Sequence, residues 1–94
     1  MQFKDIALQR FWADPSPATS RSFPADLIKV IYRKLQMLDA ANTIQDLRIP
    51  PSNHLEKLTG DRKGQYSIRV NRQYRLCFIW NGFEALEVEF VDYH

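Results

Sequence analysis

The residues best suited to chemistry lie in the last third of this 94-residue chain. The sequence ends Asp92-Tyr93-His94, a carboxylate, a phenol and an imidazole in succession, with Arg72 and Arg75 upstream. An imidazole with a reference pKa near ~6.5 exchanges protons at neutral pH. An arginine grips non-bridging phosphoryl oxygens through two parallel donors, a geometry lysine does not match. A tyrosine stacks on a splayed base or donates its hydroxyl. These parts suit cleavage of RNA. A base takes the 2′-OH proton, the oxygen attacks phosphorus, cations hold the phosphoryl charge, and an acid protonates the leaving 5′-oxygen. Arg75, Asp92, Tyr93 and His94 are thus the candidate catalytic residues, with Asp92 and His94 as proton carriers. Two blander readings compete. Arg75 can serve as cross-strand partner of a glutamate on the next strand, and a last residue such as His94 ordinarily frays.

These groups can meet only if the chain between them folds back. The segments QYSIRVN, RQYRLCFIW and FEALEVEF read as successive antiparallel strands. In the second, Tyr74, Leu76, Phe78 and Trp80 share one face, and Arg75, Cys77 and Ile79 the other. Asn81-Gly82 between two such runs predicts a tight two-residue hairpin. Its return strand, anchored by Leu86, Val88 and Phe90, brings the Asp-Tyr-His end back toward Arg72 and Arg75.

The N-terminal half supplies the other layer. Gln2-Phe3-Lys4 fits an edge strand with Phe3 inward, and Asp5–Trp12 a short helix. The helix is broken by Asp14-Pro15-Ser16-Pro17. Pro24–Ala41 is the clearest helix. Leu27, Ile31, Leu35 and Leu38 form its apolar stripe, and Lys29, Arg33 and Lys34 lie off it. Asn42 or Thr43 caps a short helix over Ile44–Leu47, and Pro50-Pro51 commits the chain to extended structure. Ser52–Thr59 is a short strand or loop, and Gly60–Gly64 a turn. Helices first and strands after predict one α+β domain over residues 1–94, two layers, with helices packed on a mostly antiparallel sheet.

Net charge is only +2, but Lys57 to Arg75 holds six cations and one anion, while Leu76 to His94 holds four anions and no Lys or Arg. Such a basic segment meets phosphates readily, which makes Arg62, Lys63 and Arg69 candidate RNA-binding residues. It also fits a solvated edge that keeps a sheet from aggregating. The lone Cys77, inside a strand, reads as a packed thiol. The lack of disulfides suits a reducing, cytoplasmic setting. No apolar run approaches ~18 residues and the N-terminus lacks a signal-peptide core, so no membrane association is expected. His54, His94 and Asp92 have no metal-ligand spacing, and no glycine-rich phosphate loop is present, so neither metal nor cofactor is expected.

The run from Leu58 to Asn71 (LTGDRKGQYSIRVN), followed by Gln73–Phe78 (QYRLCF) and Val91-Asp92-Tyr93-His94, resembles HigB-type toxins of bacterial toxin–antitoxin pairs, in the RelE superfamily. The likeness extends over almost the whole chain. It implies a compact RelE-like α+β fold and an mRNA endoribonuclease that works on the translating ribosome without metal. It also implies a helix-turn-helix antitoxin of the HigA type, through which operator DNA is bound. Residue by residue, Asp92, Tyr93 and His94 match the family's C-terminal active-site residues, and Arg75 its penultimate-strand arginine. Some members carry a histidine and a lysine just before the glycine that corresponds to Gly60. At those positions this chain has Glu56 and Thr59, with His54 and Lys57 displaced by two. Either a local insertion restores His54 and Lys57 in space or Glu56 serves instead; both are kept as RNA-binding candidates. Two other functions fit the fold: a gyrase-inhibiting toxin, which leaves the terminal cluster without a role, and a non-catalytic RNA-binding module.

Overall fold

In a computed structural model of the chain, residues 1–93 are described. Helix α1 spans Ile6–Ala13 and is capped by Asp5, whose Oδ1 accepts from the Leu8 amide at 3.2 Å. The proline-rich segment does more than end this helix. Ser16 caps a four-residue helix α2, Pro17–Ser20, with proline in the first turn, where its missing N–H leaves no helical bond unmade. A 3-10 turn over Ala25–Leu27 leads into α3, Ile28–Ala40. Leu27, Ile31, Leu35 and Leu38 are all buried, as the stripe requires.

Lys34 corrects the sequence reading. It flanks the stripe but is only 5% exposed, because its ammonium donates to Oδ1 of the fully buried Asn53. Pro50-Pro51 also departs from expectation. The Ile49–Pro50 peptide is cis, and Pro51–Asn53 closes a 3-10 turn rather than an extended run. The Asn53 amide draws that turn back by donating to the carbonyls of Leu47 at 3.1 Å and Ile49 at 3.5 Å. Before it, Thr43 and Asp46 form a reciprocal cap on the 3-10 turn Ile44–Arg48.

The sheet has four antiparallel strands in sequential order: β1 Glu56–Lys57, β2 Tyr66–Arg69, β3 Tyr74–Trp80 and β4 Ala85–Asp92. On the free edge of β4, Phe3 makes a parallel bridge with Val88, so the N-terminal segment is the expected edge piece. Phe3 packs on the core. The β3–β4 connection is four residues, 81–84, rather than two. Asn81 Oδ1 accepts from the amides of Phe83 and Glu84, both at 2.8 Å, and Gly82 turns the chain at φ +97°. A bulge opposite Cys77–Ile79 then shifts the phase of β4, with Glu87 at φ +50°. As a result Ala85 and Val88 are fully buried, whereas Leu86 pairs with Ile79 and is half-buried instead of anchoring the core.

The sheet's inner face, with Ile68, Val70, Leu76, Phe78 and Val88, shares one apolar cluster with Leu8 and Phe11 of α1 and the α3 stripe. This is the two-layer α+β arrangement read from the sequence. Residues one out of phase, Ser67, Arg69, Arg75, Cys77 and Glu89, belong to the other face. Cys77 is a packed thiol there, fully buried. Burial pushes its pKa up, against a smaller opposing pull from Arg62. Among the described residues, no helix is long and apolar enough to cross a membrane.

Candidate active site

Four elements converge on a cleft of about 470 Å³ lined by His54, Glu56, Arg69, Asn71, Arg72, Arg75 and Tyr93. Arg75 is its fixed point. Strand β3 carries it one residue before Leu76, so the alternation that buries Leu76 against the helices turns Arg75 to the outer face. There it is only 9% exposed. Its Nε donates to Ser67 Oγ at 2.7 Å, and Nη2 donates to the His54 carbonyl. Nη1 lies 3.5 Å from Glu56 Oε1. Each terminal nitrogen carries two N–H groups, so donors remain on the guanidinium for an incoming anion.

The register makes this corner electrostatically unusual. Arg69 of β2 is the direct cross-strand partner of Arg75. Like charges opposite one another on an antiparallel pair are destabilising. The carboxylate offsetting them is Glu56, which pairs with Arg75, while Arg69 and Arg72 have no ion pair among the described residues. His54 enters from the other side. It follows the turn Pro51–Asn53 in a left-handed conformation, φ +44° and ψ +54°, which sends its carbonyl to Arg75 and leaves the residue exposed at the rim. A non-glycine residue in that region carries strain, which is common where function fixes a backbone.

The C-terminal segment returns as the hairpin requires. Tyr74 pairs with Asp92 and Arg75 with Val91, and the Tyr93 amide donates to the Gln73 carbonyl at 2.7 Å, which extends the ladder past β4. The Tyr93 ring lies over the Arg75 guanidinium, 5.6 Å from Cζ to the ring centroid, a cation–π distance. Asp92 is one residue out of phase with Tyr93. Its carboxylate accepts from Gln73 Nε2 at 3.0 Å, and it lines an adjoining hollow with Arg62, Val91 and Tyr93 instead of the Arg75 cleft. His94, named as a proton carrier, lies outside the described residues.

Of the residues singled out from the sequence, His54, Arg69, Arg75 and Tyr93 come together. Lys57 and Lys63 are exposed and line neither the cleft nor that hollow. Arg62 is engaged by Glu89 at 3.1 Å and by Gln65 at 3.1 Å, with Lys4 completing a network on Glu89 at 3.3 Å. Arg72, named beside Arg75 in the sequence, also lines the cleft, as does Glu56, whereas sequence reasoning left Ser67 and Asn71 outside the site. Strand phase identifies Ser67, which shares the face of Arg69 and Arg75. Asn71 and Arg72 occupy the β2–β3 turn, whose shape was not legible. Asn71 Oδ1 closes it by accepting from the amides of Gln73 at 2.9 Å and Tyr74 at 2.7 Å.

Comparison with known proteins identifies the family. The whole chain, residues 1–94, matches a family model described as the RelE-like toxin HigB of type II toxin–antitoxin systems. It is 45% identical over 94 residues to Toxin HigB-1 of Vibrio cholerae, covering 100% of this chain and 96% of that protein. It is 42% identical over 92 residues to an uncharacterized protein of Haemophilus influenzae, covering 98% of this chain and 88% of the relative. It is also 34% identical over 71 residues to Endoribonuclease HigB of Proteus vulgaris, with 76% of each chain covered. An α+β fold with an arginine-centred cleft and a full-length family match lead to one conclusion: the chain belongs to the HigB-like family of type II toxins.

Proposed function

We propose that this chain is an endoribonuclease toxin that cuts messenger RNA on the translating ribosome in the cytoplasm, and that a HigA-type helix-turn-helix antitoxin neutralises it and carries the pair to operator DNA. The observation that supports the reading best is the Arg69–Arg75 cross-strand pair, held at the cleft with Glu56 as its offsetting carboxylate. A phosphodiester supplies the charge that this corner lacks. The name of the Proteus vulgaris relative, an endoribonuclease, supports the same chemistry.

In this reading a base in the cleft removes the ribose 2′-OH proton. The 2′-oxygen forms a bond to phosphorus, the bond from phosphorus to the 5′-oxygen breaks, and an acid returns a proton to that oxygen. The products are a 2′,3′-cyclic phosphate and a 5′-hydroxyl. Arg75, held by Ser67 and the His54 carbonyl, meets the charge gathering on the phosphoryl oxygens without moving. Guanidinium groups do this work, so the chemistry needs no metal. His54 and Glu56, which line the cleft, are proton carriers in this reading, and so is His94 by the chemistry of its imidazole. Tyr93 offers a stacking face to an unstacked base. Asp92 acts through its bond to Gln73, which fixes the strand end that carries Tyr93.

The test is the chemistry of the cut ends. RNA cleaved in a translation reaction is expected to carry 2′,3′-cyclic phosphate and 5′-hydroxyl termini. Fragments bearing 5′-phosphates overturn 2′-OH attack.

A further inference from the structure

A second hollow of about 330 Å³ adjoins the cleft and shares His54, Arg69 and Asn71 with it. Its remaining wall comes from α3, through Val30, Arg33 and Lys34, and from Ser52 and Val70. Three cations thus face one concavity, and among the described residues none of Arg33, Lys34 and Arg69 has an ion pair. Lys34 is the unusual member. It is 5% exposed, yet its one hydrogen-bond partner among the described residues is a neutral oxygen, Oδ1 of Asn53. An ammonium has three N–H donors, and a buried charge is costly unless it is compensated. Asn53 cannot turn away, because its own amide donates to the carbonyls of Leu47 and Ile49. The lysine is therefore held in place beside open space, with donors to spare and no anion. Burial, with Arg33 as a second cause, holds its pKa below the usual lysine value.

We infer that this hollow is a second phosphate subsite, in which Lys34, Arg33 and Arg69 hold the phosphate next along the RNA strand from the one gripped by Arg75. The inference rests on the endoribonuclease reading and adds how the substrate is held. Arg69 lines both hollows and links the two positions. Lys34 contributes binding and strand placement, while the bond is broken elsewhere, in the Arg75 cleft.

The test uses the full chain and 2′-O-methyl oligoribonucleotides, which bind without being cut, in a series with one, two and three phosphates. For the unsubstituted protein, affinity is expected to rise about tenfold on adding the second phosphate, the scale of one charge-assisted contact. In Lys34→Met that increment is expected to vanish, and the slope of log affinity against log salt to fall by about 0.7. Arg33→Gln, at an exposed position, keeps the fold and is expected to reduce the increment about threefold, which guards against a lysine variant that fails to fold. An increment unchanged in both variants overturns the inference. So does a loss in Lys34→Met that is equal for all three oligonucleotides, since that marks a purely structural lysine. Cleavage of the unmodified RNA is read separately. If nothing is cut yet the Lys34-dependent increment persists, the nuclease reading fails and the subsite stands.

Discussion

Arg75 shows how much one side chain depends on its neighbours for placement. Its Nε hydrogen bond to Ser67 spans two strands, and its Nη2 bond ends on a carbonyl set by the left-handed turn at His54. The charge alone is not sufficient, because a forked, pre-aimed donor pair matches a phosphoryl group in a way a point charge does not. Arg75→Lys is therefore expected to lower the cleavage rate about 10²-fold, measured by primer extension, a loss comparable to that of one oxyanion donor. Ser67→Ala should lower it by less, about tenfold, and through kcat rather than KM, since Ser67 orients the arginine without reaching the RNA. The return of the chain's end toward Arg75 was legible, because Asn81-Gly82 marks a hairpin, but the register that sets Tyr93 beside the guanidinium comes from the four-residue turn and the bulge, which were not. Nor was the pairing of Asp92 with Gln73, although the same alternation contains it. A three-residue motif read as one unit hides the fact that adjacent strand residues point to opposite faces. Lys34 was misread for another reason: its partner, Asn53, lies beyond two intervening turns, and no local pattern announces such a contact.

At the level of elements, the N-terminal helices follow from local rules. Asp5 and Ser16 are side-chain caps, and the stripe on α3 has the helical period. The 3-10 turn at Ile44–Arg48 depends similarly on Asp46, whose carboxylate accepts from the amides of Asn42 at 2.9 Å and Thr43 at 3.1 Å. Those hydrogen bonds lower its pKa from the ordinary value of 3.8. A depressed carboxylate contributes stability that is present above the ordinary value and is lost as pH falls through the folded-state value. Asp46→Asn is thus expected to lower the melting temperature at pH 7, with the gap to the unsubstituted protein closing as the pH drops below 3.8; circular dichroism across that range checks both. The bulge in β4 was beyond sequence reasoning, since Leu86, Val88 and Phe90 alternate with Glu87 and Glu89 as in an unbroken strand and nothing local marks an interruption. Its signature is Glu87 at φ +50°, a conformation costing roughly 1 kcal/mol for a residue with a Cβ. Glu87→Gly should raise the melting temperature by a few degrees, because the strain outweighs the entropy glycine adds to the unfolded chain. No change, or a fall, would show that the bulge is not strained.

For the molecule as a whole, two layers meet at one apolar cluster and leave the outer face of the sheet to the polar residues. That division separates stability from chemistry: the helical layer holds the sheet, and the sheet presents Arg69 and Arg75 across one ladder rung. The layer order was legible because helices precede strands. The cleft was legible only in part, because its walls come from turns at His54 and Asn71 whose backbone shapes depend on tertiary contacts. Membership of a type II toxin family implies an antitoxin partner. Expression of the chain alone is expected to arrest growth, and co-expression of its antitoxin to restore growth. The most direct measurement of the central claim is primer extension on a reporter mRNA in a purified translation system, with the chain added as it stands or as Arg75→Ala. The expected result is discrete, translation-dependent cuts with the first protein and none above background with the second, both proteins melting at similar temperatures. Equal cutting by the folded Arg75→Ala protein would contradict the account.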